Sequence, residues 1–201
     1  ANDNTVSIVD LAAGKVTETL QTSLYPNAPA GSTPNAVALS PDEKTLFVAN
    51  ADNNCVAVFD ISQPKASKSK GFIPTGWYPT SVKTIGKKLY VANGKGFTSL
   101  PNPDGPRPVS KQETSGMHEQ NVRQGGDLQY IGGLFKGTLS IIGLPDEPTL
   151  KRYTQSVYDN TPYTKERELL SAGEAGNPIP QRVGDPSPIK YVFYVIKENR
   201  T

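Results

Sequence analysis

Short apolar runs and polar turns alternate along the first hundred residues, and they recur in a fixed order. Lys44-Thr45-Leu46-Phe47-Val48-Ala49-Asn50 is matched by Lys87-Lys88-Leu89-Tyr90-Val91-Ala92-Asn93. Each is a β-branched and aromatic run closed by Asn, which predicts a strand followed by a turn. Ahead of each run lies a second matched piece, Pro34-Asn35-Ala36-Val37-Ala38-Leu39 and Pro79-Thr80-Ser81-Val82-Lys83-Thr84-Ile85. Ser40-Pro41-Asp42-Glu43 and Gly86-Lys87 supply the turns between the pieces. Behind each Asn comes a third piece. Asn4-Thr5-Val6-Ser7-Ile8-Val9-Asp10 aligns with Asn54-Cys55-Val56-Ala57-Val58-Phe59-Asp60, and residues 137–142 form a further copy.

The unit is strand, turn, strand, Asn-rich turn, strand, connector. A period in the forties built from several short strands predicts the blades of a β-propeller. One blade cannot bury both faces of its small sheet and needs neighbours. An antiparallel sandwich with chance similarity is the alternative, but three pieces recurring in order favour the repeat. Residues 1–24 read as the back half of a blade, with Val6, Ile8 and Leu11 on its inward face. The first complete blade spans 33–75, with a polar, exposed connector at 62–70. The next blade begins after Gly76-Trp77-Tyr78-Pro79 and is interrupted at 94–136. A stretch this long inside a regular repeat is functional or disordered. It holds the single histidine, His118, and the single methionine, Met117.

After residue 144 the pattern changes. Asp146 followed by Glu147 and Pro148 predicts a helix start. Leu150, Tyr153 and Val157 then share one helical face, and Asn160 and Pro162 end it. Residues 165–171 form a second short helix, and 175–187 read as a linker. Tyr191-Val192-Phe193-Tyr194-Val195-Ile196 is a continuous apolar run. It predicts a strand buried on both faces, as in the parallel sheet of an α/β domain. Lys197-Glu198-Asn199-Arg200-Thr201 stand at its carboxyl end, where such sheets place their sites. The expected fold is therefore mainly β: a partial β-propeller of four-stranded antiparallel blades at 1–144, a helical linker of one or two helices at 145–187, and the first strand of an α/β domain at 188–201.

Composition narrows the function. The chain has 201 residues, 35% of them hydrophobic, a mean hydropathy of −0.47, and 18 Gly with 18 Pro, which suits many turns. A net charge of +2 with scattered Lys and Arg gives no reason to expect nucleic acid. No apolar run approaches the roughly 20 residues of a membrane span. The one cysteine, Cys55, reads as a small buried apolar residue.

The Leu-Phe/Tyr-Val-Ala-Asn repeat with its Asn-x-Val-x-Val-x-Asp partner resembles the YVTN family of bacterial β-propellers, over residues 2–93 and 137–144. The tail Tyr194-Val195-Ile196-Lys197-Glu198-Asn199-Arg200-Thr201 resembles the opening strand of the phosphoesterase family in the alkaline-phosphatase superfamily, which includes phospholipase C-like enzymes. The two together resemble bacterial proteins that fuse such a propeller to such a phosphoesterase. The resemblance implies a metal-dependent hydrolase of phosphate esters, periplasmic or secreted. It also implies that Glu198 and Asn199 help hold a divalent cation. That cation needs the complete phosphoesterase domain, so the chain by itself is not expected to be catalytic.

Other constellations fail. His118 has Glu119 beside it but no Cys or second His, so zinc is not expected. Gly94-Lys95-Gly96 is too short to cradle phosphate. Trp77 and Tyr78 read as packing between blades; Trp77 and His118 are the weak ligand-binding candidates. Two function classes follow: a piece of a propeller–phosphoesterase, or a non-catalytic propeller that recognises a ligand or protein. In either case the blades need partners, namely the rest of their own polypeptide or another copy.

Overall fold

The computed structural model describes residues 3–96, 136–161, 176–182 and 184–196. Among the described residues nine strands form three antiparallel sheets, and each sheet is a blade or part of one. Blade 1 is the pair β1 (Thr5–Asp10) and β2 (Lys15–Gln21). Blade 2 holds four strands in sequence order: β3 (Pro34–Leu39), β4 (Thr45–Asn50), β5 (Cys55–Asp60) and β6 (Lys68–Pro74). Blade 3 holds β7 (Trp77–Ile85), β8 (Lys88–Gly96) and β9 (Thr138–Gly143). A helix, α1 (Glu147–Asp159), follows. The mainly β fold and the partial propeller are as the repeat predicts.

Alternation explains the stacking. Along β4 and β5, Leu46, Val48, Cys55, Ala57 and Phe59 point to one side and pack with Leu20 and Leu24 of blade 1. Phe47, Ala49, Val56 and Val58 point to the other and pack with Val82, Leu89 and Val91 of blade 3. Blade 2 is thus buried on both faces, so its central strands read as unbroken apolar runs. Val6 and Ile8 join the first core, while Leu11 is exposed. Leu11 lies in the turn after β1, beyond the alternating strand.

The polar connector of blade 2 is shorter than expected. Lys68, Ser69 and Lys70 are exposed, yet they already belong to β6. They pair with β5 at the blade's outer edge, where water reaches their side chains.

Asp146 caps α1. Its carboxylate accepts from the Thr149 N–H at 2.9 Å, and the Thr149 hydroxyl, with that N–H, holds the Asp146 carboxyl below its usual range. Asn160 closes the other end. The helix lies along β6. Leu150 enters the core between blades 2 and 3, and Val157 enters the core between blades 1 and 2. Thr154 Oγ1 accepts from the Phe72 N–H at 2.9 Å, which covers an edge group of β6 that no strand pairs. Gly71 has φ +136°, and a β-carbon there would lie 2.2 Å from Thr154 Oγ1. Tyr158 stacks edge-on against Phe72 and donates to Leu24 O at 2.6 Å.

The second short helix at 165–171 lies outside the described residues. The expected strand at Tyr191–Ile196 does not form: these residues join no sheet among the described residues, and their exposure runs from 69% to 93%. A strand exists only with a partner for its N–H and C=O groups.

Candidate functional site

The Asn-x-Val-x-Val-x-Asp piece works through its ends. Asn4 and Asn54 both take the left-handed conformation, at φ 41° and 52°. Asn tolerates this region better than other side chains that carry a β-carbon. Each then ties its blade to the next. Asn4 Oδ1 accepts from the Gly31 and Ser32 N–H groups, and Asn54 Oδ1 accepts from the Tyr78 N–H at 2.8 Å. Asn4 O accepts from the Thr22 N–H and Asn54 O from the Thr75 N–H. Thr33 and Tyr78, each before a proline, also have positive φ, at 49° and 62°. Residues before proline favour extended backbone, so the same strained joint recurs at both blade junctions. At the other end Asp10 Oδ1 accepts from the Ala12 and Ala13 N–H groups, and Asp60 Oδ1 from the Ser62 N–H.

The buried Asn of the second motif differs between blades. Asn50 Nδ2 donates to Thr22 O of blade 1 at 2.7 Å. Asn93 Nδ2 donates to Ser140 Oγ at 2.9 Å, within its own blade.

These joints shape a cleft at one end of the blades, of about 450 Å³. Asp52, Asn53, Asn54, Thr75 and Trp77 line it, with Asn160 and Thr161 from the end of α1. Trp77 is partly exposed there, not sealed between blades. Lys95 Nζ lies 4.4 Å from the centre of the Tyr78 ring. Gly96 also lines the cleft, and a β-carbon on it would sit 2.0 Å from Lys136 O. Gly96 and Lys136, which flank residues 97–135, are therefore neighbours beside the cleft. In blade 2 the corresponding connection is only Ala51–Asn54.

Among the described residues Asp52 is the one titratable group lining this cleft, and its carboxylate accepts from Thr33 Oγ1. The cleft offers an aromatic surface, amides and one carboxylate, which suits recognition. A cleft of about 440 Å³ recurs at the junction of blades 1 and 2, beside Asn4, Gln21 and Leu24. Such clefts come with the blade joint.

At the opposite end, Asp42, Lys44, Asp60, Lys70, Lys87 and Glu147 border a third cleft of about 530 Å³. The Ser40 hydroxyl holds Asp42 below the usual carboxylate range, and the Ser62 hydroxyl does so for Asp60. Charges of both signs mix here. Among the described residues no three His, Cys, Asp or Glu side chains come together to hold a metal. Burial pushes the Cys55 thiol up to about 12, so it is a packing group and not a nucleophile.

Of the candidate site residues, Trp77 is the one within the described residues, and it falls at this cleft. His118, Glu198 and Asn199 lie outside the described residues. Asp52 and Asn53 were missed. The signal that finds them is the repeat itself, because the turn after the second strand sits at the same end as the blade joint.

Comparison with known proteins agrees with this architecture. The family profile of the lactonase 7-bladed beta-propeller matches residues 2–97, ending where β8 ends. The chain is a β-propeller in part. Among solved structures it is similar to a chain of Kuenenia stuttgartiensis hydrazine synthase, at 31% identity and TM-score 0.37, over 45% of this chain and 23% of that one. It is also similar to a chain of a nidogen/laminin complex, at 18% identity and TM-score 0.32, over 47% and 33%. The chain thus spans a third or less of the length of these two structures. No curated protein matches it. No helix among the described residues is long and apolar enough to cross a membrane.

Proposed function

We propose that these blades are of the YVTN kind and form the accessory domain of a metal-dependent phosphoesterase, whose catalytic domain opens at residues 188–201. The observation that carries this is the exposed run Tyr191–Ile196, followed by Lys197-Glu198-Asn199-Arg200-Thr201. Six consecutive exposed apolar side chains are too large an unpaired patch for water to keep bare. An α/β sheet would cover both faces of such a strand. Glu198 and Asn199 offer a carboxylate and an amide oxygen, hard donors suited to a divalent cation that polarises a phosphoryl oxygen. The described residues supply no donor set for that ion, so catalysis belongs to the sheet that Tyr191–Ile196 would join. The blades would anchor the enzyme or present substrate, in the periplasm or outside the cell. Trp77, and His118 in the long segment, would contact the ligand.

The cleft supports a second reading, a propeller that binds without catalysis, because it sets Trp77 beside the amides of Asn53 and Asn54. One assay separates the two. The whole polypeptide that contains this chain is given a chromogenic phosphate ester with divalent cations. Turnover that a chelator abolishes, and that Glu198→Ala lowers about 100-fold or more, is the expected result. No turnover leaves the binding module, and turnover indifferent to Glu198→Ala removes Glu198 from the site.

A further inference from the structure

The two blade joints follow one plan, with a small buried residue at one and a large exposed residue at the same place in the other. Ser32 stands two residues before Pro34, and Trp77 stands two residues before the matching Pro79. Ser32 is 4% exposed, and its hydroxyl accepts from Asn53 Nδ2 at 2.9 Å. Trp77 is 37% exposed and lines the cleft at the joint of blades 2 and 3. A joint therefore closes with Ser at this place, and its packing does not require an indole. The sheet does not cover the indole either. Trp77 lies opposite Gly96 in the β7–β8 pair, so no cross-strand side chain meets it.

The polar groups beside Trp77 are each anchored by one hydrogen bond. Asp52 Oδ2 accepts from Thr33 Oγ1, Asn53 Nδ2 donates to Ser32 Oγ, and Asn54 Oδ1 accepts from the Tyr78 N–H. Among the described residues this leaves Asp52 Oδ1 and Asn53 Oδ1 to accept and Asn54 Nδ2 to donate. No Lys, Arg or His among the described residues lines the cleft, so a phosphate or carboxylate would meet the Asp52 charge without a partner of its own. A cationic ligand is not needed to balance Asp52. The Lys95 ammonium, next in sequence to Gly96, already stands over the Tyr78 ring at 4.4 Å.

We infer that this cleft binds the sugar ring of a neutral glycan, stacked on Trp77. A pyranose presents polarised C–H groups on a flat face, which suit the electron-rich face of an indole. Its hydroxyls ring that face and both donate and accept, which matches the mixed set on Asp52, Asn53 and Asn54. The cleft, at about 450 Å³, has the size of a small-ligand site. The inference rests on the reading of this cleft as a recognition surface and names its ligand class; phosphoesterase catalysis does not enter it.

Isothermal titration of the whole polypeptide that contains this chain tests it, with a chelator present so that metal-dependent turnover plays no part. The probes are cellotriose, maltotriose, mannotriose and triacetylchitotriose, with glucose 6-phosphate and a proline-rich peptide for comparison. At least one of the four neutral trisaccharides should bind about tenfold or more tightly than either comparison ligand. Trp77→Ser, which gives this joint the residue of the other one, should fold and bind that sugar about tenfold or more weakly. Trp77→Tyr, which keeps an aromatic face, should recover most of the loss. In the unsubstituted protein the Trp77 indole N–H resonance should shift on adding the same sugar. The inference is overturned if none of the four sugars binds, if Trp77→Ser leaves binding unchanged, if the Trp77 resonance does not move, or if the sugar phosphate or the peptide binds best. The chromogenic-ester assay is read separately, so either reading can fail while the other stands.

Discussion

Blades 2 and 3 are written in the same motif and end up in different states. Leu139 and Ile141 occupy the places of Val56 and Val58, yet they are 58% and 56% exposed where Val56 and Val58 are 0% and 4%. The sequence pattern is the same; the neighbours are not. Blade 2 has a blade on each side, a full set of strands and a helix over its outer edge. Among the described residues blade 3 has one neighbour and an open edge. Burial in a repeat protein belongs to the interface between units, so a unit's own sequence tells only what it will bury when it is flanked.

Substitutions sharpen that contrast. Leu89→Ala, in the closed core between blades 2 and 3, should lower stability by about 2–5 kcal/mol in denaturant unfolding. Leu139→Ala in residues 1–201 should lower it by less than about 1 kcal/mol. Equal losses in this chain would mean that something already covers blade 3. Next in size is Gly71→Ala, which forces a β-carbon into Thr154 at a positive φ and should cost about 1–3 kcal/mol. Thr154→Ala should cost about 1 kcal/mol by freeing the Phe72 N–H, and Thr154→Ser should recover most of that loss.

Two smaller effects follow from ionisation. Cys55, buried and with its thiol pushed up to about 12, should resist alkylation at pH 8 in the native state and react at the rate of unfolding. Prompt labelling would mean that the joint between blades 1 and 2 is open. Asp146 is held below its ordinary range as the cap of α1, so its contribution is complete above that range and is lost as pH falls through the lowered value. A pH titration of helical signal should show this loss only in acid, and Asp146→Ala should remove it.

Much of this architecture is legible from residues alone. The ordered recurrence marks seven strands that continue into the third copy at β9, and Asp146-Glu147-Pro148 marks the start of α1. Two features are not legible, for physical reasons. Lys68-Ser69-Lys70 reads as a loop because an outer strand needs only one apolar face, and at its start not even that. Tyr191–Ile196 reads as a parallel strand because it is apolar throughout. Cys55-Val56-Ala57-Val58-Phe59 is equally unbroken in an antiparallel blade, because blades press on both of its faces. Continuity of an apolar run reports two-sided burial and says nothing of strand direction. The cleft was half legible: Trp77 stands out as an aromatic, whereas Asp52 and Asn53 look like any turn until the blade joint gathers them.

The central claim is that these blades stack through faces that must be covered. Sedimentation of residues 1–201 over a dilution series tests it most directly. The account predicts association, because the faces bearing Leu139 and Ile141 on blade 3 and Val9 and Val16 on blade 1 are exposed. A folded monomer that stays monomeric at the highest concentration would contradict it.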